Sequence, residues 1–108
     1  MKALAKTSDI PEGKAIKVDA CDREIAIFRY QGQFHAINAV CPHNGGPLYE
    51  GAVDNWIVTC PWHEWQFDIR SGRAPKNIGR VTCYPIEIKD GTIYLLDPEK
   101  YDDVSRLK

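Results

Sequence analysis

The sequence predicts an all-β domain, a sandwich or small barrel of roughly eight to ten short strands. Three observations lead there. Short runs rich in β-branched and aromatic residues alternate with turn-forming residues. No segment combines a 3.6-residue apolar period with start and stop caps. Prolines stand at positions 11, 42, 47, 61, 75, 85 and 98, so few helices of ordinary length fit between them.

Taken in order, AIKV (Ala15–Val18), EIAIFRY (Glu24–Tyr30) and FHAINAV (Phe34–Val40) read as strands, with Gln31-Gly32 turning between the second and third. CPHNGGPLYEG, from Cys41, is rich in Gly and Pro and reads as a loop. WIVTC (Trp56–Cys60) is expected to be a short buried strand. WQFDI (Trp65–Ile69) leads away from it to a turn at Ser71-Gly72. TCYPIEIKDGTIYLL reads as two alternating strands around Asp90-Gly91, the strongest hairpin signal in the chain. The polar end, DPEKYDDVSRLK, is expected to be loosely held.

The 108 residues suit one domain with one core, 1–108, without a linker. A formal net charge of −1, with acidic and basic residues interspersed, lacks the basic footprint of a nucleic-acid binder. No apolar run reaches the roughly 20 residues that span a bilayer, so no membrane role is expected. MKALAKTSDIPEGKAIK has neither an apolar stretch nor a twin arginine, so no export signal is read and the expected location is cytoplasmic. In that compartment, four cysteines argue for metal rather than a disulfide framework.

The chemistry concentrates in two mixed pairs, Cys41-x-His43 and Cys60-x-x-His63. Each follows a predicted strand and contains a proline, and Gly45 and Gly46 let backbone approach the ligating atoms. Thiolate with imidazole leaves two candidates: a structural Cys2His2 zinc site, or a two-iron, two-sulfur cluster with two histidines on one iron. Zinc fingers group ligands of one kind in each pair. Here each loop offers one of each, which suits a centre with two metals, one taking the thiolates and the other the imidazoles. A chain with this many strands also needs no zinc to build a core.

The spacing and the flanking residues, CPHNGGPL and CPWHEWQFDIRSG, resemble the Rieske family, and the likeness runs over essentially the whole chain. It implies a β-sandwich or barrel base with a small inserted cluster-binding subdomain, here about residues 39–69. It implies one [2Fe-2S] cluster, with Cys41 and Cys60 on the inner iron and His43 and His63 on the outer. The function implied is one-electron transfer, with no catalytic residue of its own. Electrons would pass from a flavin-dependent NAD(P)H reductase to a terminal oxygenase; the alternative is the small subunit of a nitrite reductase-type complex with its large subunit. A self-contained oxygenase would need a further iron held by two histidines and a carboxylate, and only His35 is left over. High-potential members carry a loop-bridging disulfide and two hydroxyl donors at positions that fall here on Gly46, Trp62, Trp65 and Phe67. A low potential follows from the resemblance.

The remaining residues have plainer expectations. Cys83 reads as a small buried residue on a strand, Cys21 as a turn residue beside Asp22, and His35 as a hydrogen-bonded structural or surface histidine. Trp56, Trp65 and Phe67 read as core, and Trp62 as a shield over the cluster. Pro42, Pro47 and Pro61 give the ligand loops a rigid apolar tip for docking.

Overall fold

The computed structural model describes residues 2–20, 23–40, 45–62, 65–74 and 81–96. Cys21, the 97–108 end and three of the candidate ligands lie outside that set. Ten strands are described: β1 (Lys2–Lys6), β2 (Lys14–Ala20), β3 (Arg23–Tyr30), β4 (Gln33–Asn38), β5 (Ala52–Asp54), β6 (Ile57–Thr59), β7 (Gln66–Asp68), β8 (Cys83–Tyr84), β9 (Ile86–Lys89) and β10 (Thr92–Leu95). The helical elements among the described residues are two single 3-10 turns, Thr7–Asp9 and Leu48–Glu50.

The strands form three antiparallel sheets, ordered β2-β3-β4-β8, β1-β10-β9 and β5-β6-β7. β3 explains how the sheets are layered. Its residues 25–28 are all buried, which a strand achieves only when both faces are covered. Ile25 and Ile27 point into a core shared with Ile93 and Leu95 of β10. Ala26 and Phe28 point the other way, into a core shared with Val58 of β6 and Phe67 of β7. The period-2 alternation of one strand thus serves two cores, and the β2-β3-β4-β8 sheet is the middle layer.

Tight hairpins set the register. Gln31 and Gly32 both have positive φ (51° and 77°), and Tyr30 pairs with Gln33 beneath them. Asp90 and Gly91 repeat the geometry at 52° and 75°, joining Lys89 to Thr92. This primed turn matches the right-handed strand twist. The Glu12 carboxylate secures the first turn, accepting N–H bonds from Gln31 at 2.5 Å and Gly32 at 3.2 Å.

Three expectations are revised, and β1 was not read in the sequence at all. β1 carries too little β-branched or aromatic character to be read locally; pairing with β10 makes it a strand. Trp56 does not begin a strand: with φ of 70° it belongs to a third primed turn, after Asn55 at 53°, which joins β5 to β6. The TCYPIEI stretch is divided at Pro85, which has no N–H for a ladder; β8 pairs with β4, and β9 with β10. Cys83 does lie on a strand, but it is exposed rather than buried.

Gly51 fixes the seam between the 3-10 turn Leu48–Glu50 and β6. A Cβ there would collide with the Thr59 carbonyl and come within 2.9 Å of Val58 Cγ2. Gly32 has open space around it and needs only its left-handed backbone. Gly51→Ala is therefore expected to destabilise by about 1–3 kcal/mol through overpacking against backbone. Gly32→Ala should cost about 1 kcal/mol from conformation alone. Urea unfolding midpoints of the two variants check the order.

Candidate metal centre

Both candidate ligand loops are closed at their bases. The first leaves β4 and returns at Pro47, which bridges Val40. Tyr49 N–H donates to Ala39 O at 3.2 Å, and Leu48 N–H to Gly46 O at 2.9 Å. Gly45 takes φ of 74° on the returning side. Cys41 and His43 fall between these anchors in the sequence and lie outside the described residues. The second loop joins β6 to β7. Thr59 pairs with Gln66, Gln66 Nε2 donates to Thr59 Oγ1 at 3.3 Å, and Cys60 N–H donates to Trp65 O at 2.7 Å. Pro61 and Trp62 stand exposed between those anchors. His63 lies outside the described residues.

The loops are neighbours because the chain leaving the first enters β5, which pairs with β6; Ala52 sits opposite Thr59. The structure therefore places one of the four predicted ligands, Cys60, and the residues that flank the other three in sequence. Cys60 is fully buried, in one core with Leu48, Val58, Phe67 and Ile69. Two residues on, Trp62 is 60% exposed, more than any other large apolar side chain described. The loop thus turns from core to solvent within one residue pair.

This setting suits a thiolate bound to metal. No charged or polar residue is buried among the described residues, and a lone anion in such a core is costly unless a cation neutralises it. A buried sulfur donor also matches the donor preferences of iron–sulfur chemistry. Among the described residues no three His, Cys, Asp or Glu converge on a further metal set.

Comparison with known proteins agrees with the geometry. The model of the Rieske [2Fe-2S] domain matches residues 1–85. The chain belongs to the Rieske [2Fe-2S] family. The cofactor of this Rieske chain is one [2Fe-2S] cluster. It is 38% identical over 101 residues, 90% of this chain and 94% of the relative, to a 3-phenylpropionate/cinnamic acid dioxygenase ferredoxin subunit of Photorhabdus laumondii. The Sphingomonas yanoikuyae B1 ferredoxin has a similar structure, with TM-score 0.79 and 25% identity over 86% of this chain and 94% of that one. So has a chain in the complex of reduced oxygenase and oxidized ferredoxin of carbazole 1,9a-dioxygenase, with TM-score 0.78 and 25% identity over 86% and 89%.

At the opposite end of β6 the Rieske fold carries a group that the sequence did not single out. Asp68 accepts from Arg70 Nε at 3.1 Å and Nη2 at 2.9 Å, a two-point pair. The Arg70 side-chain hydrogen bond holds the Asp68 carboxyl below its ordinary pKa. His35 lies nearby, half-buried, with Nε2 3.2 Å from Gln33 Oε1, as expected of a structural histidine. Burial, then the Arg70 cation, lowers its pKa from 6.5, and Asp68 opposes in part. Cys83 is exposed, with Sγ donating to Arg70 O at 3.4 Å. Partial burial of the thiol and the Asp68 charge push its pKa up, away from thiolate chemistry. Alternating burial shows which strand residues share a face, but it does not bring β4 against the end of β7.

A lowered folded pKa makes neutral His35 a stabilising form. Its contribution is complete above the unfolded value of 6.5 and is lost as pH falls through the folded one. Thermal melts from about pH 7.5 to about pH 5 should show the parent losing stability relative to His35→Gln. The difference is expected to stay below about 1 kcal/mol, because solvent screens a half-exposed ring.

Proposed function

We propose that this Rieske chain is a one-electron carrier whose cluster is held by Cys41 and Cys60 on the inner iron and by His43 and His63 on the outer. Residues 39–69 form the cluster-carrying part of a single domain, 1–108. The observation that carries the reading is the adjacency of two collared loops, one with a fully buried Cys60 and an exposed Trp62 only two residues away. When bound, the cluster takes up and returns one electron.

The chain's own residues set the terms of that exchange. Two thiolates cancel the charge of the oxidised core, so an electron enters a site that starts neutral, which is easier than entering an anionic four-cysteine site. Cys60 sits among Leu48, Val58, Phe67 and Ile69, which keep water from its side. Phe67 is fully buried and Trp65 half-buried, and neither has a hydroxyl to donate to sulfur. Gly46 and Trp62 stand where high-potential members place a disulfide. Fewer donors leave more charge on sulfur and favour the oxidised state.

The relatives' description as dioxygenase ferredoxin subunits supports a terminal oxygenase as acceptor, and a flavin-dependent NAD(P)H reductase is the donor read from the family resemblance. Exposed Trp62 and Pro61 offer a small apolar contact for such a partner, suited to brief docking below about 1,200 Å² of interface. A cytoplasmic setting fits these partners. Among the described residues no helix is long and apolar enough to cross a membrane.

Protein purified without oxygen is expected to be red-brown, with about two irons and two acid-labile sulfides per chain. His63→Ala should lose the visible spectrum while Cys83→Ala keeps it; the reverse would overturn the ligand assignment. Co-purification in a stable complex with a large nitrite reductase-type subunit would overturn the free-carrier reading.

The midpoint potential of the intact protein is expected at about −150 to 0 mV. A spectroscopic titration that returned a value near the top of the Rieske range would refute the account of the missing donors.

A further inference from the structure

Among the described residues, three hairpins turn through two successive left-handed residues. Two of them have glycine second, Gly32 and Gly91; the third has Trp56, at φ of 70°. That conformation is strained for a bulky residue, and it persists only where the surroundings hold it. Here they do. Tyr30 meets the indole edge-on at 4.8 Å, and His35 does so at 5.8 Å. The Arg70 guanidinium covers the ring at 5.1 Å, itself steadied by Asp68. The backbone is tied too: Asn55 N–H donates to the Tyr30 hydroxyl at 2.9 Å, and Ile69 N–H to Trp56 O at 2.9 Å.

These groups have a common place in the fold. His35 lies early in β4, the strand that feeds the first ligand loop. Trp56 directly precedes β6, which feeds Cys60. Arg70 follows β7, which leads away from the second loop. The stack therefore ties together, at the far end, the strands that carry both loops.

We propose that Trp56 is a positioning residue for the redox centre: clamped between Tyr30, His35 and Arg70, it sets the angle of β6 and β7 on the middle sheet and so the spacing of the two ligand loops. It acts through the strands and touches no ligand. Cys60 lies four positions further on, about 13 Å along the strand, so a tilt of about 5° at the clamp moves the tip by about 1 Å. The proposal rests on the reading that both loops share one cluster.

The test uses the protein as purified, with two readouts. Trp56→Gly removes the ring and the backbone cost together, while Trp56→Phe keeps a ring. Amide hydrogen exchange in β6 and at Ile69 is expected to rise at least about tenfold in Trp56→Gly and to stay near the parent rate in Trp56→Phe. The EPR lines of the reduced protein should broaden in Trp56→Gly and recover in Trp56→Phe. Unchanged exchange and unchanged lines in Trp56→Gly would overturn the proposal. Should that variant fail to fold, Arg70→Gln, on the surface, is expected to give the same changes to a lesser degree, and no change there overturns it as well. Ile93→Val, in the other core, controls for stability alone. A lowered melting point with sharp EPR lines supports a positioning role, and equal broadening overturns it. Raised exchange in Trp56→Gly, in a parent without iron, would leave the clamp standing and remove the electron-carrier reading instead.

Discussion

The structure depends most on a contact between two backbones. A centre shared by two loops exists only if their supports are held together, and here the supports belong to different sheets. The first loop grows from the middle sheet and the second from the small β5-β6-β7 sheet. The join is made where Gly51 lies against Thr59 and Val58, and where β5 turns the chain leaving the first loop into a neighbour of β6. The approach of Gly51 to the Thr59 carbonyl is a stiff contact, because backbone there has no rotamer to yield.

Behind that join, the core is divided. β3 sends Phe28 toward the small sheet and Ile25 and Ile27 toward β10. The core that surrounds Cys60 is therefore distinct from the one that seals the outer layer, although one strand supplies both. Apolar burial provides most of the stabilisation in each. It also fixes register, since a slip of one residue would exchange the two faces of β3.

Much of this was legible in the residues. The runs around Ile27 and Ile37, the Gln31-Gly32 and Asp90-Gly91 turns, and the absence of helical period are local signals, and the structure follows them. The ligand spacing is also local, and it led to the family. What stayed hidden is what depends on distant partners. β1 is extended because β10 accepts it, and nothing in KALAK says so. Asn55-Trp56 is a poor match to the usual Asn-Gly turn, so its tryptophan read as the start of a strand. Cys83 read as buried because a short cysteine on a strand usually is; its two-residue strand is paired with β4 at the sheet edge among the described residues. The ion pair between Asp68 and Arg70, two residues apart, resembles an ordinary surface pair until the fold sets an indole beneath it.

The pairing of Lys2 with Leu95 bears on the order in which the molecule is made. The β5–β6 and β3–β4 hairpins close over a few residues, and short closures are fast. Zipping β1 onto β10 instead encloses almost the whole described chain, and the entropy of so long a closure makes it late. The inner hairpins can thus form while Ile25 and Ile27 still await the cover that Ile93 and Leu95 bring.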